Sequence, residues 1–324
     1  MRAVVCKSLG PPDNLVVEEQ DDLTPKANEV CIKVHACGVN FPDTLIVEGK
    51  YQLRPEPPFI PGAEVAGEVL SVGEKVRHVR PGDRVTALVQ VGGFADQACA
   101  AGEAVMPIPN EMNYTQASAF PLVYGTVMHA LRQRGALQAG ETLLVLGAGG
   151  GVGLAAVQLG KIMGAKVIAA AGTQEKLSLA KHYGADEAIN YSYGSFKDNV
   201  KKLTNGQGAD VIFDPVGGDL GQECLSCINW RGRYLVIGFA AGDIPHIAAN
   251  RLLLKGAAAV GVFWGAFVAR EPKVNFENFE QLFEWFREGK LRPHISKTYP
   301  LEDAAQALAD MRARRVTGKV ALLP

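Results

Sequence analysis

The 324-residue chain is poor in aromatic residues (7%), has only six cysteines and carries almost no net charge, with 33 Lys plus Arg against 34 Asp plus Glu. Each scarcity excludes something. Cys6, Cys31, Cys37, Cys99, Cys224 and Cys227 are too few and too irregularly spaced for a disulfide framework, and the start MRAVVCKSLG lacks the apolar stretch of a signal peptide. A reduced, cytoplasmic protein is expected. A net charge of −1 gives no reason to expect nucleic acid or an anionic membrane as partner, although a local basic pocket stays open. Long apolar runs are also lacking, with one apparent exception: Thr142 to Gly160 is uncharged and long enough to cross a bilayer. Gly147, Gly149, Gly150, Gly151 and Gly153 argue against a continuous helix there, since each Gly costs about 1 kcal/mol relative to Ala. No membrane span is predicted.

Glycine is what the chain has in excess: 36 residues, about 11% against a usual level of roughly 7%. Ten fall in residues 1–121, twenty-three in 122–264 and three in 265–324. Gly plus Pro still stays below the ~25–30% of low-complexity chains, so the protein should fold, and its length suits about two domains. The first 120 residues read as short strands broken by Gly and Pro, among them VCIKVHA, EVAGEVLSVG and PGDRVTALV.

From Leu122 the rhythm becomes apolar strands alternating with helical patterns, which predicts an α/β domain with a six-stranded parallel sheet. The strands are TLLVLG, KVIAAAG, EAINY, ADVIFDP, RYLVIGF and AAVGVFWG. Helices are expected over Val152–Met163, Gln174–Tyr183, Ser195–Leu203, Leu220–Ile228 and Ala248–Leu254. After Gly265, Phe276, Phe279, Leu282, Phe283 and Phe286 form an apolar helical stripe read as core. A last helix over Leu301–Arg314 precedes the strand KVALLP.

Gly147 to Gly153 follows a strand and opens a helix, the context that a dinucleotide fingerprint requires. Gly147, Gly150 and Gly153 form a GxxGxxG frame, and a pyrophosphate would sit against the unpaired N–H groups of the helix N-terminus. An NAD site usually has an Asp or Glu at the end of the second strand for the ribose 2′-hydroxyl. Here that strand ends Ala169, Ala170, Ala171, Gly172, Thr173, with Lys176 one turn further on. NADPH is therefore predicted over NADH.

The segments ACGVNFPDTLIVEGKY, PGAEVAGEV, PGDRV, GGFADQA, PLVYGTVMHAL, LGAGGGVGLAAVQLGK, GTQEKL, FDPVGG and RRVTGKVALLP extend along the whole chain. With them it resembles the zinc-free NADPH:quinone oxidoreductase branch of the medium-chain dehydrogenase/reductase superfamily. The resemblance implies a GroES-like β-rich catalytic domain over 1–121, a doubly wound Rossmann domain over 122–264, and a segment over 265–324 that completes the catalytic domain. It also implies cofactor roles: Thr126 near the nicotinamide ribose, Gly150, Gly151 and Val152 at the pyrophosphate, and Gly172, Thr173, Lys176, Tyr191 and Arg314 around the adenosine 2′-phosphate. Phe239 and Phe263 would line the nicotinamide through their backbones, and Arg314 suits phosphate because its guanidinium is planar and bidentate. A homodimer is implied, with AAVGVFWG as the edge strand needing cover.

Zinc-dependent relatives have a Cys and a His where this chain has Asn40 in GVN and Ala63 in GAE. Amide and methyl groups do not replace thiolate and imidazole around Zn²⁺, so no metal is predicted, and Cys224 and Cys227 form a lone CxxC without further ligands. Without a Lewis acid, quinones or α,β-unsaturated carbonyls are the natural hydride acceptors, because their developing charge delocalises onto oxygen. The resemblance implies Asn40 and Tyr51, which match the family's substrate-pocket motif, as hydrogen-bond donors to that oxygen, with Asp43 ordering a water or orienting Asn40. His35 and His129 lack a nucleophile partner. The predicted activity is NADPH-dependent quinone reduction. The alternatives are conjugate reduction of an enone or an acryloyl-type thioester or 2-haloacrylate, and a dinucleotide-binding protein with a structural, sensing or RNA-binding role.

Overall fold

The computed structural model describes residues 1–324. Its strands are β1 (Arg2–Cys6), β2 (Leu15–Glu19), β3 (Glu29–Val39), β4 (Glu64–Val72), β5 (Arg84–Leu88), β6 (Gln97–Ala101), β7 (Val105–Pro107), β8 (Thr142–Leu146), β9 (Lys166–Ala171), β10 (Glu187–Asn190), β11 (Ala209–Asp214), β12 (Ile228–Val236), β13 (Ala258–Gly261), β14 (Ile295–Pro300) and β15 (Lys319–Leu323). The α-helices are α1 (Phe41–Val47), α2 (Tyr114–Ser118), α3 (Pro121–Met128), α4 (Gly151–Ile162), α5 (Gln174–His182), α6 (Phe196–Leu203), α7 (Gly218–Cys224), α8 (Ala249–Lys255), α9 (Trp264–Arg270), α10 (Pro272–Arg287) and α11 (Ala304–Arg312). The chain forms two compact units, Met1–Leu122 with Pro293–Pro324, and Val123–Arg292.

The first unit is built on a seven-stranded sheet ordered β14-β15-β3-β4-β5-β7, with β6 also paired to β3. β3 is its spine. Val30, Ile32 and Val34 face inward at period two, and Val39 lies opposite Val320 of β15, so the C-terminal strand joins the sheet beside the strand that leads into Asn40. Phe59, Val65, Val85, Phe94, Leu308 and Leu322 fill the same core.

All six strands expected in the second unit form one parallel sheet, ordered β10-β9-β8-β11-β12-β13. In chain order that is third, second, first, fourth, fifth, sixth: the doubly wound arrangement, whose crevice opens beyond the carboxyl ends of the paired β8 and β11, where the strand order reverses. Leu143 to Leu146 are fully buried because helices cover both faces, which explains the unbroken apolar run in their sequence. No helix is long and apolar enough to cross a membrane.

Three details differ from the sequence reading. The helix expected over Leu220–Ile228 begins earlier and ends at Cys224, because Ile228 already opens β12 and the Cys227 carbonyl accepts from Ala209 N at 2.9 Å. Phe276 of the aromatic stripe is 57% exposed, whereas Phe279, Leu282 and Phe283 are buried. The segment 265–324 is also divided. α10 packs within the second unit, where Phe279 lies 6.4 Å from the Trp264 ring and the Asn278 carbonyl accepts from Gln133 Nε2 at 3.0 Å, so only Pro293 onward joins the β-rich unit.

Candidate active site

In the second unit, β8 ends at Leu146 and the chain turns through Gly147, whose φ of +59° is left-handed and suits glycine. Gly150 caps α4 with no side chain bonded to the first turn, so the helix N-terminus presents free N–H groups. The glycines serve different ends. A Cβ on Gly153 would lie 2.2 Å from the Gly147 carbonyl oxygen, and one on Gly149 would lie 2.4 Å from Lys176 Cβ, so both are required by close packing inside the protein. A Cβ on Gly150 would meet only the Gly147 oxygen, at 3.5 Å. The backbone at Gly150, Gly151 and Val152 is thus the part of the loop left open for a ligand's close approach, and that cradle fits a pyrophosphate.

The Gly149 contact brings Lys176 of α5 against this loop. Thr173 caps α5, accepting from Lys176 N at 3.3 Å, and Gly172 lies beside Tyr191, where a Cβ would be 3.1 Å from the ring. Residues 169–173 at the end of β9 contain no carboxylate, so nothing there repels a 2′-phosphate. Thr126 is half-buried on α3, Phe239 is half-buried in the loop after β12, and Phe263 is 66% exposed where α9 begins. Arg314 belongs to the first unit, exposed on the left-handed turn after α11, with its N–H bonded to Met311 O at 3.1 Å.

Asp214, at the end of β11, went unrecognised in the sequence. Its Oδ1 accepts from Val216 N at 2.7 Å and Gly217 N at 2.9 Å, and Oδ2 accepts from the Tyr234 hydroxyl. It therefore shapes the Pro215–Gly218 turn at the carboxyl end of the sheet. Burial pushes its carboxyl above the ordinary range, against the pull of those three donors.

In the first unit, Asn40 directly follows β3 and caps α1, but its amide is already committed. Asn40 Nδ2 donates to Glu64 Oε1 at 2.8 Å and Gly38 O at 3.3 Å, while Oδ1 accepts from Lys319 Nζ at 2.6 Å. Lys319 also donates to Val39 O at 2.8 Å and Glu64 Oε1 at 3.0 Å, so all three ammonium protons are used. The second Glu64 oxygen accepts from Leu122 N at 2.9 Å. The Glu64 and Lys319 side chains are 0% and 7% exposed, a paired buried charge of the kind that tolerates neither partner's loss. Neither residue stood out in the sequence, although Glu64 lies within PGAEVAGEV and Lys319 within TGKVALLP.

Asp43 sits in the first turn of α1 and accepts from Asn40 N through Oδ2 at 2.8 Å, while its Oδ1 is buried without a partner. Burial pushes this carboxyl from 3.8 up to about 7. Burial, and secondarily the Asp43 charge, also raise the half-buried Tyr51, which keeps that hydroxyl protonated at neutral pH. Tyr51 is consequently the side chain of this group best able to donate to a substrate oxygen. His35 stacks on Tyr114 with ring centroids 4.5 Å apart, and His129 stacks on Phe267 at 3.9 Å, each packed as an aromatic.

Two family models match the chain: the alcohol dehydrogenase GroES-like domain over residues 26–112 and the zinc-binding dehydrogenase over 151–288. A quinone oxidoreductase-like protein 2 homolog of Nematostella vectensis is 43% identical over 325 residues, covering 99% of this chain and 88% of that protein. Among solved structures, a quinone oxidoreductase of Pseudomonas syringae pv. Tomato superimposes with a TM-score of 0.93 at 31% identity, covering 100% of this chain and 99% of that one. The Escherichia coli quinone oxidoreductase complexed with NADPH gives a TM-score of 0.93 at 28% identity, covering both chains completely. Zinc does not suit the residues around Asn40, which lie outside the stretch 151–288 that the zinc-named model matches. Around Asn40 the converging groups are an amide, a carboxylate and the Lys319 ammonium, which supplies the positive charge itself and repels a cation.

Proposed function

The chain belongs to the quinone oxidoreductase branch of the medium-chain dehydrogenase/reductase superfamily and is an oxidoreductase, and from that premise we propose that it reduces quinones or similarly electron-poor carbonyls with NADPH. The observation that carries the cofactor choice is Lys176 packed against the glycine loop, beside a strand end without carboxylates. NADPH, when bound, supplies the hydride.

In this reading the backbone of Gly150, Gly151 and Val152 at the start of α4 binds the pyrophosphate, Gly147 sets the turn that aims it, and Gly153 lets the turn pack closely. Lys176, with Tyr191 flanking Gly172 and Thr173 capping α5, takes the adenosine 2′-phosphate. Thr126, Phe239 and Phe263 border the nicotinamide. Tyr51 donates a hydrogen bond to the oxygen on which charge develops. Asn40 and Asp43 act as positioning residues: Asn40 hands its amide to Glu64 and Lys319, and Asp43 ties the Asn40 backbone to the first turn of α1.

The decisive assay compares kcat/KM with NADPH and NADH for 1,4-benzoquinone, 9,10-phenanthrenequinone, a 2-alkenal and acryloyl-CoA. Quinones should be turned over best, with NADPH clearly preferred. Lys176→Ala should erode that preference by about 10–150-fold, the worth of a charged hydrogen bond of ~1.5–3 kcal/mol. Tyr51→Phe should lower kcat/KM for quinones. Equal efficiency with NADH, or acryloyl-CoA outpacing every quinone, would overturn the proposal.

We also infer a homodimer through β13. This edge strand pairs only with β12, its residues are largely exposed, and an unpaired apolar edge needs cover. Sedimentation should show a dimer that Val260→Lys dissociates, whereas a monomer in both proteins would refute the assignment. A reducing, cytoplasmic compartment fits the six free thiols.

A further inference from the structure

Cys31 of β3 and Cys99 of β6 stand directly opposite each other in an antiparallel ladder. Residues in that relation project from the same face, with Cα atoms about 4.5–5.5 Å apart, which lies inside the ~4.4–6.8 Å range that a disulfide spans. The two thiols are close enough to perturb each other's protonation, Cys31 being drawn below and Cys99 pushed above the ordinary thiol range. Access is unequal. Cys31 is buried, its thiol directed at Leu23 O at 3.7 Å, whereas Cys99 is half-buried and reachable from solvent.

We propose that Cys31 and Cys99 form a redox site in which a hydroperoxide oxidises the pair to a reversible cross-strand disulfide. One thiol of the pair loses its proton to solvent and the thiolate attacks a peroxide oxygen; the O–O bond breaks, that sulfur becomes a sulfenic acid, and the other oxygen takes up a proton and leaves as the alcohol, or as water when the oxidant is hydrogen peroxide. The opposite cysteine then attacks that sulfur; the S–S bond forms, the S–O bond breaks, and the hydroxyl leaves with the second thiol's proton as water. Two electrons pass from the thiols to the peroxide. The disulfide staples β6 to the spine of the first unit's sheet.

Cys224 and Cys227 provide an internal contrast. Both are fully buried, and Cys227 Sγ is directed at the Cys224 carbonyl at 3.2 Å, so neither is offered to an oxidant. The test treats the purified full chain with hydrogen peroxide, blocks remaining thiols with iodoacetamide, and reads intact mass and non-reduced peptides. The expected result is loss of two hydrogen masses, a linked peptide joining Cys31 to Cys99, and recovery of both free thiols with dithiothreitol. Cys99→Ser, a near-isosteric change at a half-buried position, should abolish the linked peptide and leave Cys31 alkylatable after denaturation. The proposal is overturned by overoxidation of Cys99 to sulfinic acid without a linked peptide, by a disulfide between any other pair, or by six unmodified thiols.

Discussion

Removing the Lys319 ammonium while leaving Glu64 in place should destabilise the first unit severely. Lys319→Met keeps the length and apolar stem of the side chain but deletes three hydrogen bonds, to Val39 O, Asn40 Oδ1 and Glu64 Oε1. Glu64 would retain Asn40 Nδ2 and Leu122 N as donors, with no positive charge against a carboxylate whose side chain is 0% exposed. At 3.0 Å and an effective dielectric of about 20, the lost attraction is on the order of 5 kcal/mol. Breaking one side of a buried pair typically costs about 3–5 kcal/mol, so the two routes agree. For a unit of this size the melting point should fall by roughly 6–20 °C.

The assay must see the right unit. Trp230, Trp264 and Trp285 all lie within Val123–Arg292, so tryptophan fluorescence reports the other one. Amide hydrogen exchange of peptides covering 29–39 and 319–323 across a urea series reports β3 and β15 directly. Adding Glu64→Gln to Lys319→Met should recover a substantial part of the loss, because the orphaned charge disappears. A loss below about 1 kcal/mol for Lys319→Met, the range of an exposed ion pair, would refute the reasoning.

Gly153→Ala should prevent the glycine loop from closing, since its Cβ would lie 2.2 Å from the Gly147 carbonyl oxygen and 2.7 Å from its carbon; calorimetric titration should show cofactor binding lost or weakened at least 100-fold, while Gly150→Ala should weaken binding and spare the melting temperature. Asp43 gives a pH signature. Its folded carboxyl titrates near 7 against 3.8 ordinarily, so the native state holds a proton that the unfolded chain loses between about pH 4 and 7. The protonated group's contribution is complete below about pH 4 and disappears as pH rises through 7, a swing on the order of 4 kcal/mol. Asp43→Asn, which cannot ionise, should flatten stability across that window, and identical pH slopes in wild type and variant would contradict this account.

Short-range patterns make the second unit legible in the amino-acid sequence. A strand buried on both faces appears as a continuous apolar run, and the backbone demands at Gly147 and Gly153 appear directly as glycine; six strands and the cofactor loop follow from such local rules. The aromatic stripe of α10 is equally visible, but periodicity says only that a helix has an apolar face. It does not say which core receives it, which is why α10 joins the second unit and Phe276 stays exposed.

What tertiary structure alone decided is which polar groups meet. Asn40 reads as a substrate donor through its match to the family's substrate-pocket motif, and it became a buried strut once β15 brought Lys319 beside β3, 279 positions away in the chain. Cys31 and Cys99 read as scattered thiols until antiparallel pairing set them opposite one another. The sequence by itself determined the elements, the nucleotide-binding frame and the absence of a carboxylate after β9, because each depends on residues within about one turn or strand. Electrostatic partners depend on registers between distant strands, and those are set by the packing of the whole sheet.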